Sequence, residues 1–343
     1  MKLSVLDQSP ASAGGTGADA IAASLALARH CDALGYARYW LSEHHNSSSI
    51  VGSAPEVLMA AIAATTGRIR VGSAGIMLPH YSALKVAEQF RVLEAIAPGR
   101  IDLGLGRAPG SDRLTAQALN PYASPQAEAF PRQIADLQAW LSGARMPPEH
   151  PYRAIQAQPA GPGAPTMWIL GSSNYGAQLA AHLGLPYAYA YFFSDGQGVE
   201  EALELYRQLY RPSAAHPLPQ ATICVWALAA ASEEEARRQL MTREYWRVGF
   251  EQGLPRPLVS PDVALAHPYT AEQRERIARL RDKALVGTGA QVAGQLRALA
   301  KSLELDEIVV NTWAYEAAVR QQSYSLLARA MDLTPTGAPT CKT

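Results

Sequence analysis

Short apolar runs alternate with amphipathic helical stretches along almost the whole chain, and the turns between them are only a few residues long. That alternation constrains the 343-residue sequence more than any other feature. Strand-like runs fall at residues 2–7, 38–42, 69–77, 101–106, 166–170, 186–193, 220–230 and 307–310. Helical stretches separate them, among them 54–65 with Pro55 in its first turn, 82–96 opened by Ser82, and 19–34 capped by Asp19 and stopped by Gly35. Strands joined through helices must lie parallel, with right-handed crossovers. The spacing therefore predicts an α/β fold, a (β/α)8 barrel with insertions after strands 4 and 7. The alternation pauses twice, at 107–165 and at about 248–286. Residues 1–332 are expected to form one domain, and 333–343 a flexible tail. A doubly wound open sheet is the alternative. It lacks its phosphate fingerprint, because no Gly-x-Gly-x-x-Gly follows the first strand, and Pro109 interrupts the partial match at Gly104–Gly110.

Composition narrows the function classes. Lys and Arg number 30 and Asp and Glu 30, so no global field draws the chain to nucleic acid or to an anionic membrane. Three cysteines far apart, Cys31, Cys224 and Cys341, fit neither a disulfide framework nor a metal knuckle. The N-terminus lacks the apolar core of a signal peptide, and no run of about 18 apolar residues occurs. A cytoplasmic protein is expected.

In a parallel barrel the chemistry sits at the carboxyl ends of the strands. Here those ends carry Gln8, Glu43-His44-His45, Ser73-Ala74-Gly75, Gly106-Arg107, Gly171-Ser172-Ser173-Asn174, Tyr191-Phe192-Phe193 and Asn311-Thr312-Trp313. Two adjacent histidines at a strand end favour proton chemistry over a chance surface loop. The Gly171-Ser172-Ser173 turn precedes a helix, whose N-terminal N–H groups and dipole favour an anion, and Arg107 adds a fixed cation. Together they describe a phosphate site; alone, Ser172 or Ser173 reads equally as an ordinary helix cap. Ser73-Ala74-Gly75 leaves room either for a flat ring or for tight strand–helix packing. His80 and Tyr191 follow strand ends and are candidate substrate contacts, as is His45, which alternatively orients His44. No Gly-x-Ser-x-Gly elbow and no His-Glu-x-x-His pair is present, so neither a serine hydrolase nor a zinc site is expected.

Five segments resemble the bacterial luciferase-like flavin monooxygenases, in particular the alpha-chain-like branch. They are Trp40-Leu41-Ser42-Glu43-His44-His45, Val71 to Pro79, Pro98 to Arg107, the Gly171-Ser172-Ser173 turn and Val286-Gly287-Thr288, in the family's order. The resemblance implies a barrel that binds FMN, delivered reduced by a separate, transiently bound flavin reductase. It implies reaction with O₂ through a flavin 4a-hydroperoxide that oxidises a small organic substrate. It makes His44 the catalytic residue and Arg107, Ser172 and Ser173 phosphate ligands, with Gly171 in their turn. Ala74-Gly75 becomes a cis peptide beside the flavin ring, and the chain a homodimer. Two departures stand out: Gly171 replaces a Glu of the light-emitting members, and Gly106 replaces their Cys. Light emission and an aldehyde substrate therefore do not follow. Deazaflavin-dependent hydride transfer on the same barrel, or flavin binding without catalysis, are the alternatives.

Overall fold

The computed structural model describes residues 1–107, 112–121 and 129–334. The stretch after the fourth strand that contains Pro109, and most of the expected flexible tail, including Cys341, lie outside them. Among the described residues nine strands occur in chain order: β1 (Lys2–Asp7), β2 (Arg38–Leu41), β3 (Arg70–Met77), β4 (Ile101–Gly106), β5 (Thr166–Gly171), β6 (Tyr187–Tyr189), β7 (Ala221–Ala230), β8 (Leu285–Thr288) and β9 (Glu307–Asn311). Every pairing between them is parallel. Strands β1 to β7 pair in sequence, and β9 joins β7 to β1, so eight strands close into a (β/α)8 barrel.

The ninth strand comes from a long β7. The lower part of β7, Ile223 to Trp226, pairs with β9, while Ala227 to Ala230 continue upward and pair with β8. The segment Leu285–Thr288 was legible as a helix entrance but not as a strand, because four residues carry too little periodicity to declare one. A second difference lies at β6. It ends at Tyr189, and Tyr191–Ser194 is a single helical turn rather than the end of a strand. The insertions fall after β4 and β7, and both carry helices: Arg113–Leu119 and Ala129–Ser142 in the first, Glu233–Glu251, Pro261–Ala266 and Ala271–Asp282 in the second.

Local chemistry sets the helix ends. The first helix, Gly17–Leu34, is capped by Thr16, not by Asp19; Asp19 sits at the third position and returns the bond in a capping box. It stops at Gly35, whose φ of 88° suits glycine. Ser82 caps the helix Ala83–Ile96 through the Lys85 N–H.

One large apolar cluster fills the space between barrel and helices. Inside the barrel a smaller layer of Leu6, Trp40, Trp168, Ala188, Cys224 and Val309 forms the floor of whatever lies above it. Trp40 and Trp168 meet there edge to face at 5.1 Å. Below that layer, at the amino ends of the strands, lies a closed ionic network. Asp102 receives Arg38 at 2.7 Å, Arg70 at 2.6 Å and the Trp40 indole N–H at 3.0 Å. Glu307 receives Arg38 at 2.8 Å and Ser4 at 2.6 Å. The barrel is thus plugged by paired charge at one end and is open to chemistry only at the other. Among the described residues no helix is long and apolar enough to cross a membrane.

Candidate active site

Above the floor layer, at the carboxyl ends of the strands, lies a cavity of about 290 Å³. It brings together His44, Ala74, Gly75, Arg107, Gly171, Ser172 and Ser173.

His44 follows β2, and its main-chain N–H donates to Gly52 O at 2.9 Å. Its Nδ1 lies 3.0 Å from Ser42 Oγ, which leaves Nε2 for the cavity. The sequence left open whether burial or Glu43 governs this imidazole. Burial governs it, with His45 adding to the effect, and the pKa is pushed down from 6.5 to about 4. Glu43 has turned elsewhere. Its carboxylate accepts from the Met77 N–H at 2.9 Å and from Tyr81 Oη at 2.5 Å, and it lies 2.7 Å from His45 Nε2. Glu43 therefore ties the end of β2 to the end of β3, and His44 stays neutral near pH 7.

The β3 wall is built from backbone. The Ala74–Gly75 peptide is cis, and the register with β4 skips Gly75. A Cβ on Gly75 would meet Leu170 Cδ1 at 2.6 Å and Gly104 O at 2.7 Å. A Cβ on Gly104 would collide with Ser73 O. The tight packing here is strand against strand, backbone to backbone, rather than strand against helix, and Ala74 and Gly75 line the cavity.

Opposite this wall, the β5 turn leads into the helix Asn174–Leu183. Ser173 occupies the cap position but makes no side-chain cap bond, so its hydroxyl and that helix's first N–H groups are not spent on each other. Tyr187 Oη holds the turn through Ser173 O at 3.3 Å. Gly171 passes Gly176 so closely that a Cβ on either would lie 3.3 Å from the other's Cα. The Arg107 guanidinium lies over the Tyr175 ring at 4.1 Å and pairs with no carboxylate among the described residues. An exposed arginine, an uncapped helix end and two free-facing serines converge on one corner, which is an anion site in its chemistry.

Three sequence candidates lie outside the cavity lining. His45 is held by Glu43, His80 is buried edge to face with Tyr81, and the Tyr191 ring lies against Gly196. In their place stand Phe192, Phe193 and Met77, which the sequence set at strand ends without a role, and Tyr175 and Cys224, which it passed over. Strand parity points Cys224 inward, but the short helical turn after β6 reverses which aromatic of Tyr191-Phe192-Phe193 faces in. Among the described residues no cluster of three His, Cys, Asp or Glu is placed to hold a metal.

Residues 1–305 match the luciferase-like monooxygenase family. The chain belongs to that family. The N-acetyl-S-alkylcysteine monooxygenase of Bacillus subtilis is 36% identical over 336 residues, covering 96% of this chain and 98% of that protein. The crystal structure of apo-MsnO8 superposes with a TM-score of 0.89 at 37% identity, over 98% of this chain and 99% of the other. The FMN complex of the oxygenating constituent of 3,6-diketocamphane monooxygenase from Pseudomonas putida gives a TM-score of 0.70 at 17% identity, over 96% and 98% of the two chains, and shares the fold. Membership makes the chain an oxidoreductase of the monooxygenase type.

Proposed function

We propose that this monooxygenase uses FMN, delivered reduced by a separate reductase, and inserts one atom of O₂ into a small organic substrate. One observation carries the reading: a neutral histidine, a wall of small residues and an uncapped anion corner face the same cavity. The residues fit the cofactor. Arg107, the Ser172 and Ser173 hydroxyls and the N–H groups of the Gly171–Ser173 turn would hold its phosphate. Ala74 and Gly75, small residues in the cavity lining, would take one face of its ring. When bound and reduced, the flavin supplies the electrons that activate O₂.

The chain's own residues do the rest. His44 Nε2 accepts or returns one proton within the cavity, and Ser42 Oγ fixes the ring through Nδ1. Trp40, Met77, Phe192 and Phe193 keep water from the reacting atoms. Residues 248–286 serve as a mobile lid over the mouth. Val57, Val92 and Ile96, exposed on the helices Pro55–Thr65 and Ala83–Ile96, support a homodimer built on that face. The same reading puts the protein in the cytoplasm, together with the reductase that would supply its reduced flavin.

The test is oxygen labelling. With reduced FMN, ¹⁸O₂ and a panel of small thioethers and ketones, product should carry one ¹⁸O atom. Tight binding of a deazaflavin with substrate turnover in the absence of O₂ would replace this reading with hydride transfer. FMN binding without any turnover would leave a flavin carrier.

A further inference from the structure

Among the buried arginines of the described residues, Arg243 alone has neither a counter-ion in contact nor a hydrogen bond. Arg243, on the helix Glu233–Glu251, is 8% exposed and makes no hydrogen bond or ion pair among the described residues. Its guanidinium lies 4.3 Å from the centre of the Trp226 ring. The neighbouring charges are already engaged. Glu244 is held by Arg281 at 2.6 and 2.7 Å, Glu251 by Arg247 and Arg276, and Asp195 lies 3.8 Å from Arg276. Four arginines, 243, 247, 276 and 281, thus face three carboxylates, 195, 244 and 251, and Arg243 is the one left over. Burial, with Arg247 beside it, pushes its pKa down only to about 10, so it is cationic at neutral pH.

Arg243 and Trp226 stand just behind the cavity lining, next to residues that belong to it. Cys224 lines the cavity, and Trp226 lies two residues further along β7, on the same inward face, about 7 Å nearer the rim. Trp226 pairs in register with Asn311 of β9, and Asn311 donates to Gln8 Oε1 at 2.5 Å, Gln8 being another lining residue. Phe192 packs against Trp226's cluster and against the floor layer alike. The same cluster holds further unmet donors: the indole N–H groups of Trp226, Trp246 and Trp313 are buried without a hydrogen-bond partner. Buried donors are nearly always satisfied, and a buried charge almost always has its opposite. A guanidinium laid on an indole ring, with no carboxylate of its own, lacks one thing, a planar acceptor with negative charge.

We propose that Arg243, laid over Trp226, binds the carboxylate of the organic substrate, so that the substrate is an acid whose apolar end reaches down past Phe192 to the reaction centre. This deepens the monooxygenase reading and rests on it for the use of the bound acid, but not for the binding itself. The experiment is therefore a binding measurement without flavin or turnover. N-acetyl-S-benzylcysteine and its carboxamide are titrated into the full chain and followed by tryptophan fluorescence and calorimetry. The acid should bind at least about tenfold more tightly than the amide. Arg243→Met should abolish that preference, Arg243→Lys should keep part of it, and FMN affinity should be the same in all three proteins. The melting temperature separates this role from a structural one: a lone buried cation replaced by Met leaves the free protein as stable or more so, whereas loss of a structural arginine lowers it. Equal binding of acid and amide overturns the proposal. So does a retained preference in Arg243→Met, or acid binding weaker than about 1 mM. Success here with no ¹⁸O incorporation would condemn the oxygenase reading and leave this one intact.

Discussion

The two ends of the barrel treat buried polar groups in opposite ways. At the amino ends, Asp102 accepts four hydrogen bonds from three residues and Glu307 two from two, and the arginines that reach them are spent within the fold. At the carboxyl ends, His44, Arg107 and Ser173 line the cavity, Ser173 makes no cap bond, Asn311 Oδ1 has no hydrogen-bond partner, and Arg107 and Arg243 lie on aromatic rings without a carboxylate among the described residues. Both ends are built from the same strands. The difference teaches how to tell a structural charge from a working one in an α/β barrel: the structural charge is consumed by the fold.

Substitutions can break this contrast or sharpen it. The largest effect is expected from His44→Ala, which should cut the rate of productive oxygenation by about 10²–10⁴-fold while FMN affinity and melting temperature hold; full turnover in single-turnover kinetics would remove His44 from the chemistry. Next, Asp102→Ala leaves Arg38 and Arg70 without their shared acceptor and should cost about 3–5 kcal/mol in urea unfolding. A loss as small as that of a surface substitution would erase the distinction between the two ends. Arg107→Ala should weaken FMN by about 10–100-fold, the loss of a charge-assisted hydrogen bond or two, yet leave riboflavin affinity nearly unchanged. Flavin fluorescence quenching reads both, and equal weakening would move Arg107 off the phosphate.

The pH response comes fourth. His44 has a folded pKa near 4 against an unfolded value near 6.5. Between those values the unfolded chain binds the extra proton, so this group's contribution to stability is present above pH 6.5 and is lost as pH falls toward 4. His44→Ala should therefore flatten the stability profile in that window, and NMR of the imidazole should place its midpoint well below 6.5. The smallest effect compares two serines at helix starts. Ser232 accepts the Glu235 N–H as a true cap, and Ser232→Ala should cost about 1 kcal/mol. Ser173→Ala should cost almost nothing in stability and show itself only in FMN affinity.

The sequence was most transparent where periodicity and local chemistry agree. Alternating strands and helices sufficed for the barrel, and the two pauses in that pattern marked the two insertions. Motifs at strand ends located His44, Arg107 and the Gly171–Ser173 turn, because a strand that stops at polar residues exposes them at one rim. What stayed hidden depends on rotation and distance. Nothing in Glu43-His44-His45 says that the carboxylate swings to Met77 and Tyr81 and leaves its neighbour His44 to burial. Nothing in Tyr191-Phe192-Phe193 says that the strand has already ended and that the first aromatic faces away. Arg243 looks like any charged residue on an amphipathic helix. Only the fold, by laying it on Trp226 and assigning every nearby carboxylate to another arginine, sets it apart.

The close approach of Gly75 and Gly104 has a consequence for how this molecule can diversify. Any side chain at either position would drive into main-chain atoms of the adjoining strand, so the β3–β4 wall cannot be reshaped one residue at a time. Its width is fixed by two polypeptide backbones in contact. A change of chamber size by single substitutions is open instead at Phe192 and Phe193, where a bulkier or smaller side chain displaces only other side chains. One flank of the chamber resists single substitutions and the other admits them.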